Sequence, residues 1–149
     1  SDKFAKLFEV VTGKYVRSFE GHTHHVLDVS WKLDGTSIAT AGADNVIKVW
    51  NVETGEQRRT IGGYSKQVTS IQYIGVGENV VSCSGDKHRR FHKTGNGKQF
   101  PHFAGGTAFM FAAAASRDES FVVAGGEDGV LRIWNGKTAQ SLSTFGPPQ

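Results

Sequence analysis

Phe8, Trp50, His92 and Trp134 stand 42 residues apart, and so do Asp2, Asp44, Asp86 and Asp128. The same step relates Gly13, Gly55 and Gly97, then Gly21, Gly63 and Gly105, then Phe19, Ile61, Phe103 and Phe145. A chain that returns to the same residue types at one fixed step is built from a single supersecondary unit used several times. Each unit must then bury its apolar face against its neighbours, because it is too small to do so alone.

Within a unit the apolar residues alternate with period two, the spacing of a strand with one face covered. In the best-kept unit this predicts strands over Val26–Trp31, Ser37–Ala41, Val46–Asn51 and Gln57–Ile61. The turns between them fall at Lys32–Gly35, Gly42–Asn45 and Glu53–Gly55, rich in Asp, Asn and Gly. Four antiparallel strands per unit make the blade of a β-propeller. Phe109–Ala115 is alanine-rich and has helical propensity, yet its place in the repeat makes it a first strand. The predicted fold is all-β, with a half blade over 1–20, whole blades over 21–62, 63–104 and 105–147, and a tail at 148–149.

Gly21-His22 and Val49-Trp50-Asn51 give the first whole unit its resemblance to a WD40 repeat, with Asn51 where the family places Asp. The resemblance implies a hydrogen-bonded structural tetrad of His22, Thr40, Asp44 and Trp50. At the same places the next unit carries Tyr64, Ser82, Asp86 and His92, and the last carries Gly106, Ala124, Asp128 and Trp134. Only the first blade is therefore expected to hold the full network. The family serves many functions, so the fold follows from the resemblance more directly than any activity.

Asp2 aligns with the tetrad Asp, so the repeat begins in mid-blade, with third and fourth strands expected over about Phe4–Val10 and Tyr15–Phe19. About four to eight blades close a propeller, and this sequence supplies three and a half. The expectation is the C-terminal part of a seven-bladed ring whose upstream half is the partner, in the same protein or a separate chain. A homo-oligomer is the alternative. The unpaired first strand would leave a backbone edge open to pairing, and Gly146-Pro-Pro-Gln149 reads as a chain end.

Candidate chemistry is sparse. The net charge of +3 is concentrated in residues 62–103, where six Lys/Arg face two acidic residues. One stretch there, Lys87-His-Arg-Arg-Phe-His-Lys93, replaces an ordinary third strand and offers Lys87, Arg89, Arg90 and Lys93 as an anionic docking patch. Arg89 occupies the place of Ile47 and Leu131, so it must find a carboxylate, reach solvent or meet a ligand. A locally exposed or salt-bridged strand satisfies it as well. One short cluster argues against nucleic acid as the partner.

His22, His24 and His25 share a loop without the carboxylate or cysteine spacing of a metal site. The lone Cys83 excludes an internal disulfide, and no segment is apolar enough for a membrane-spanning helix. No catalytic residues, metal or cofactor are expected. The loops of one rim, with His24, Lys66, Asp86 and Asp128, are the candidate binding surface for a protein partner. Three functions follow: a protein-interaction scaffold, a propeller accessory to a bacterial c-type haem domain, or a half-ring that holds its own other half.

Overall fold

A computed structural model describes residues 2–100 and 108–147. Gly106, the second unit's fourth strand beyond Phe100, and the 148–149 tail lie outside the described residues. The described chain contains thirteen strands. β1 (Ala5–Phe8) and β2 (Tyr15–Phe19) form a two-stranded sheet. β3 (Val26–Trp31), β4 (Ser37–Gly42), β5 (Ile47–Asn51) and β6 (Gln57–Ile61) form the first whole blade. β7 (Val68–Ile74), β8 (Asn79–Ser84) and β9 (Arg89–Lys93) form the next, with a single bridge from His92 to Gln99 beyond them. β10 (Met110–Ala115), β11 (Phe121–Gly126), β12 (Leu131–Asn135) and β13 (Ser141–Phe145) form the last. The alanine-rich segment is thus a strand: pairing with β11 outweighs its helical propensity.

All pairings within the sheets are antiparallel, and their irregularities repeat with the sequence. The register between first and second strands slips at Val26/Asp28, at Val68/Ser70 and at Met110/Ala112. Each slip leaves one residue, Leu27, Thr69 or Phe111, without a partner opposite, a bulge that adds twist to the innermost strand. The turn between second and third strands needs a left-handed residue. Asn45 (φ 66°), Lys87 (φ 72°) and Gly129 (φ 69°) fill it in successive blades. Asparagine and glycine accept this conformation readily, whereas lysine is strained in it.

Sheets bury their faces against the next sheet along the chain. Ala39, Ala41, Ile47, Val49 and Ile61 pack against Ile71, Tyr73 and Val80. Val81, Cys83 and Phe91 meet Met110, Val122, Ala124 and Trp134, and Phe19 with Ala5 and Leu7 covers Ile38 and Trp50. Hydrogen bonds add direction to this packing. The Ile71 amide donates to Asp28 Oδ2 at 2.9 Å and the Tyr73 amide to Ser30 Oγ at 2.9 Å. The Ala115 amide donates to Gln72 Oε1 at 3.0 Å. A first strand has a strand neighbour on one side only, so its outward amides are taken by side chains of the preceding blade.

Losing such an acceptor leaves a buried N–H without a partner. Asp28→Ala is expected to destabilise the chain by about 1–3 kcal/mol in urea unfolding. Asp28→Asn, which keeps a side-chain oxygen, should recover most of the loss; equal losses in both variants would show that the negative charge matters instead.

Candidate functional site

In the first blade four side chains form one chain of hydrogen bonds. Asp44 holds His22 Nδ1 at 2.9 Å, and the Thr23 amide donates to the same carboxylate at 2.9 Å. Accepting from His22 Nδ1–H leaves Nε2 as an acceptor for the Thr40 hydroxyl at 2.7 Å. Thr40 Oγ1 in turn accepts the Trp50 indole N–H at 2.9 Å. Burial works to raise the Asp44 pKa, but the bonds from Thr23 and His22 outweigh it and hold it below the usual carboxylate value. Gly42 makes room for this arrangement, because a Cβ there would lie 2.2 Å from Asp44 Oδ1 and 2.4 Å from His22 Nδ1.

The second blade builds a different network at the same positions. Its counterpart of Gly42 is Ser84, whose side chain occupies the room the histidine would need and donates to the Lys66 carbonyl at 3.0 Å. Tyr64 reaches further inward than His22 does. Its hydroxyl lies 2.7 Å from both Ser82 Oγ and His92 Nε2. With His92 Nε2–H donating to Tyr64, Tyr64 to Ser82 and Ser82 to the Arg90 carbonyl, every hydrogen has an acceptor. His92 Nδ1 is then a buried lone pair with no hydrogen-bond partner among the described residues. Burial first, and the Arg90 charge second, lower the His92 pKa to about 4. Serine, tyrosine and histidine in a row suggest a proton relay, but all three are buried. The row is a structural one.

With no histidine at the place of His22, Asp86 pairs with Arg90 four residues on, at 2.9 Å, with His88 Nδ1 3.4 Å from its Oδ1, and the guanidinium lies 4.5 Å over the Tyr64 ring. Burial opposes ionisation of Asp86, and the bonds from Arg90 and from the His88 and Ser65 amides overcome it. Asp128 pairs with Arg132 at 2.6 Å, and Asp2 with Lys6 in the same relation. In the first blade, where His22 holds Asp44, Lys48 turns instead to Gln57 and Thr60.

These contacts disperse the basic strand of the second blade. Arg89 is fully buried, its guanidinium 4.4 Å over the Trp134 ring with Nη1 3.6 Å from Met110 Sδ. The expectation of an exposed strand at Arg89 is corrected here: an aromatic face and a thioether in the next blade receive the cation. Burial, followed by the Arg132 charge, lowers its pKa to about 10, so it stays protonated at neutral pH. Arg90 is buried on Asp86, and Lys93 lies at the opposite end of the strand from Lys87. Lys87, Arg89, Arg90 and Lys93 therefore do not form one surface patch.

The rim candidates divide as well. His24 and Lys66 are exposed, whereas Asp86 and Asp128 turn their carboxylates into their own ion pairs. What the structure brings together is Lys66 and Lys87 on the second blade with Phe109, Glu127 and Asp128 on the third, around a groove of about 350 Å³. Phe109 lies across Gly85, where a Cβ would come within 2.4 Å of its ring. Phe109 and Glu127 carry no motif. Their place in the groove follows from the alignment of Glu127 with Gly85 in the preceding unit. The groove offers two lysines, an apolar floor and an acidic wall, which suits a polypeptide segment. Among the described residues no group of three or more His, Cys, Asp or Glu could hold a metal ion, and no helix could cross a membrane.

The family model described as WD domain, G-beta repeat matches residues 13–51 and 97–135, together just over half of the chain and two repeat periods apart. The chain belongs to the WD40 repeat family. Among WD40 relatives, the nuclear distribution protein nudF of Aspergillus flavus is 31% identical over 121 residues, 79% of this chain and 27% of its own length. Coatomer subunit beta' of Rattus norvegicus is 30% identical over 130 residues, 85% of this chain and 14% of its own. A ribosome biogenesis protein WDR12 homolog of Nematostella vectensis is 36% identical over 83 residues, 54% of this chain and 20% of its own. The chain thus spans less than a third of the length of these curated relatives. Neither matched stretch includes Tyr64 or His92, which stand at the WD40 histidine and tryptophan positions of the second whole unit.

Two outcomes follow for the networks. Gly42→Ala should cost about 1–3 kcal/mol through overpacking, read as a fall in thermal midpoint, and no fall would place the Asp44 side chain elsewhere. His92 stays neutral in the fold, while an unfolded histidine takes up a proton near pH 6.5. The stability this neutral state contributes is whole above that pH and is lost as pH falls toward about 4. Across that window the parent should lose about 1 kcal/mol per pH unit more than His92→Phe. Parallel pH profiles would mean that His92 charges freely in the folded state.

Proposed function

We propose that this chain is a section of a larger WD40 propeller, seven-bladed when complete, that works as a non-catalytic scaffold for protein–protein interaction. The observation that carries the reading is the division of labour within each blade. Tetrad positions, ion pairs and interblade bonds use their polar groups on one another, while Lys66, Lys87 and Glu127 on the loops above remain available around an open groove. Rigid strands that present exposed loop side chains are a common basis for binding. The αL backbone at Lys87 adds support, since its sister blades place Asn45 and Gly129 there and strain of this kind collects at working surfaces. The WD40 relatives, a nuclear distribution protein, a coatomer subunit and a ribosome biogenesis protein, carry the names of non-enzymes.

The test is affinity capture from the native source with the parent and with the double variant Lys66→Glu/Lys87→Glu, the bound proteins being identified by mass. The variant is expected to lose a specific subset of bound proteins while its thermal midpoint holds. An unchanged set of captured proteins would remove the rim groove as the binding surface.

A further inference from the structure

At the end of the strands opposite the rim, the gap between the second and third whole blades holds a cavity of about 280 Å³. Phe91 of β9 and Phe100 beyond it supply aromatic walls. Glu119, from the turn between β10 and β11, and Lys137, Thr138 and Ala139, from the turn between β12 and β13, supply the rest. A cavity in the gap one repeat earlier has Val49 and Arg58 in the places of Phe91 and Phe100. The aromatic pair therefore belongs to this gap and not to the repeat.

Both turns depart from their sisters in the same way. Glu119 (φ 61°) and Ala139 (φ 60°) are left-handed, a conformation that residues with side chains rarely take. Two repeats earlier the same places belong to Gly35 (φ 72°) and Gly55 (φ 79°). The two exceptions line one cavity, and backbone strain gathers at ligand clamps. Glu119 is also closely fitted. A Cβ on Gly136 would lie 2.1 Å from its carbonyl oxygen, and one on Gly75 would lie 3.0 Å from its Oε1. That Oε1 accepts the Asn79 side-chain amide at 3.0 Å across the gap. Among the described residues, neither Glu119 nor Lys137 forms an ion pair.

The charges decide what fits. Exposed Lys137, with Lys98 Nζ 5.9 Å from the Phe100 ring, disfavours a simple cation. Glu119 disfavours a simple anion in the same way. A molecule with both charges beside an apolar group satisfies all of these residues. It must be small, because pockets for drug-sized ligands begin at about 300 Å³.

We propose that this cavity binds a free α-amino acid with an apolar side chain the size of leucine or phenylalanine. Glu119 receives the ammonium, Lys137 the carboxylate, and Phe91 and Phe100 the side chain. The terminal residue of a polypeptide offers the same chemistry less one charge. The rim groove lies at the other end of the strands, so capture by the rim and binding in this gap stand or fall independently.

The test titrates the 149-residue chain with L-leucine and L-phenylalanine at millimolar concentration and follows its amide NMR shifts. Saturable shifts are expected at the Asn79 side chain and at the backbone of residues 136–138. Leucinamide and N-acetyl-leucine should each bind about tenfold more weakly than leucine, the worth of one charge-assisted hydrogen bond. Lys137→Gln should weaken leucine by a similar factor and leave leucinamide unaffected. Glu119→Gly, which installs the residue of Gly35 and Gly77 at this turn, should abolish binding while the thermal midpoint holds or rises, because glycine accepts a positive φ without strain. Absent shifts, equal shifts around Val49 and Arg58, or binding that survives Glu119→Gly would overturn the proposal. Leucinamide or N-acetyl-leucine binding as tightly as leucine would overturn it too, by making a polypeptide terminus the ligand.

Discussion

The innermost strand of each blade poses the hardest problem in the molecule. It has a strand partner on one side only, yet it lies where sheets converge and its amides cannot all be left to water. The answer repeats along the chain: Asp28 and Ser30 take the Ile71 and Tyr73 amides, and Gln72 takes that of Ala115. An unpaired buried amide costs as much as a lost hydrogen bond, so these side chains set how far one sheet can slide on the next. Apolar packing through Ile71, Tyr73 and Val80 supplies the attraction, and the side-chain bonds supply the register.

Above this shared base the blades are not equivalent. The first closes its strand ends with His22, Thr40, Asp44 and Trp50, and Gly42 clears the space. The second reaches the same end with Tyr64, Ser82 and His92, a longer donor standing in for the histidine and a histidine for the indole. Displaced from the tryptophan place in its own blade, the aromatic contact reappears between blades, where Arg89 lies on Trp134. Each substitution makes sense only beside the others. A histidine at Tyr64 would meet Ser84 where the first blade has Gly42, and an isoleucine at Arg89 would give the Trp134 face no cation.

Much of this could be read from the sequence because the repeat converts one strand assignment into several. The 42-residue register from Trp50 to Trp134 placed a first strand correctly even at Phe109–Ala115, which has the composition of a helix. The full hydrogen-bonded chain of the first blade lay within reach because its four residues match a motif at fixed spacing. The sequence was less informative about contacts between units. Arg89 looked like an exposed or docking residue because nothing local reveals that Trp134, 45 positions away, lies flat beneath it. Asp86 and Asp128 looked available on the rim because turn aspartates usually are. Their pairing with a cation four residues on, across a turn into a strand, has no signature in a period-two pattern. The groove was hidden for the same reason, since Lys66, Phe109 and Glu127 come from three separate loops.

The paired aspartate carries a consequence for how such an array changes over time. Across the units the carboxylate takes one of two kinds of partner, a loop histidine in the first whole blade and a basic residue near the start of the third strand in the others. Because the second is always present, as Lys6, Lys48, Arg90 or Arg132, a unit can lose its histidine without stranding a negative charge. The loop that carried the histidine is then released to vary, one blade at a time, while the strands beneath keep their places. The carboxylate stays paired through such a step, and loops diversify on a framework that stays the same.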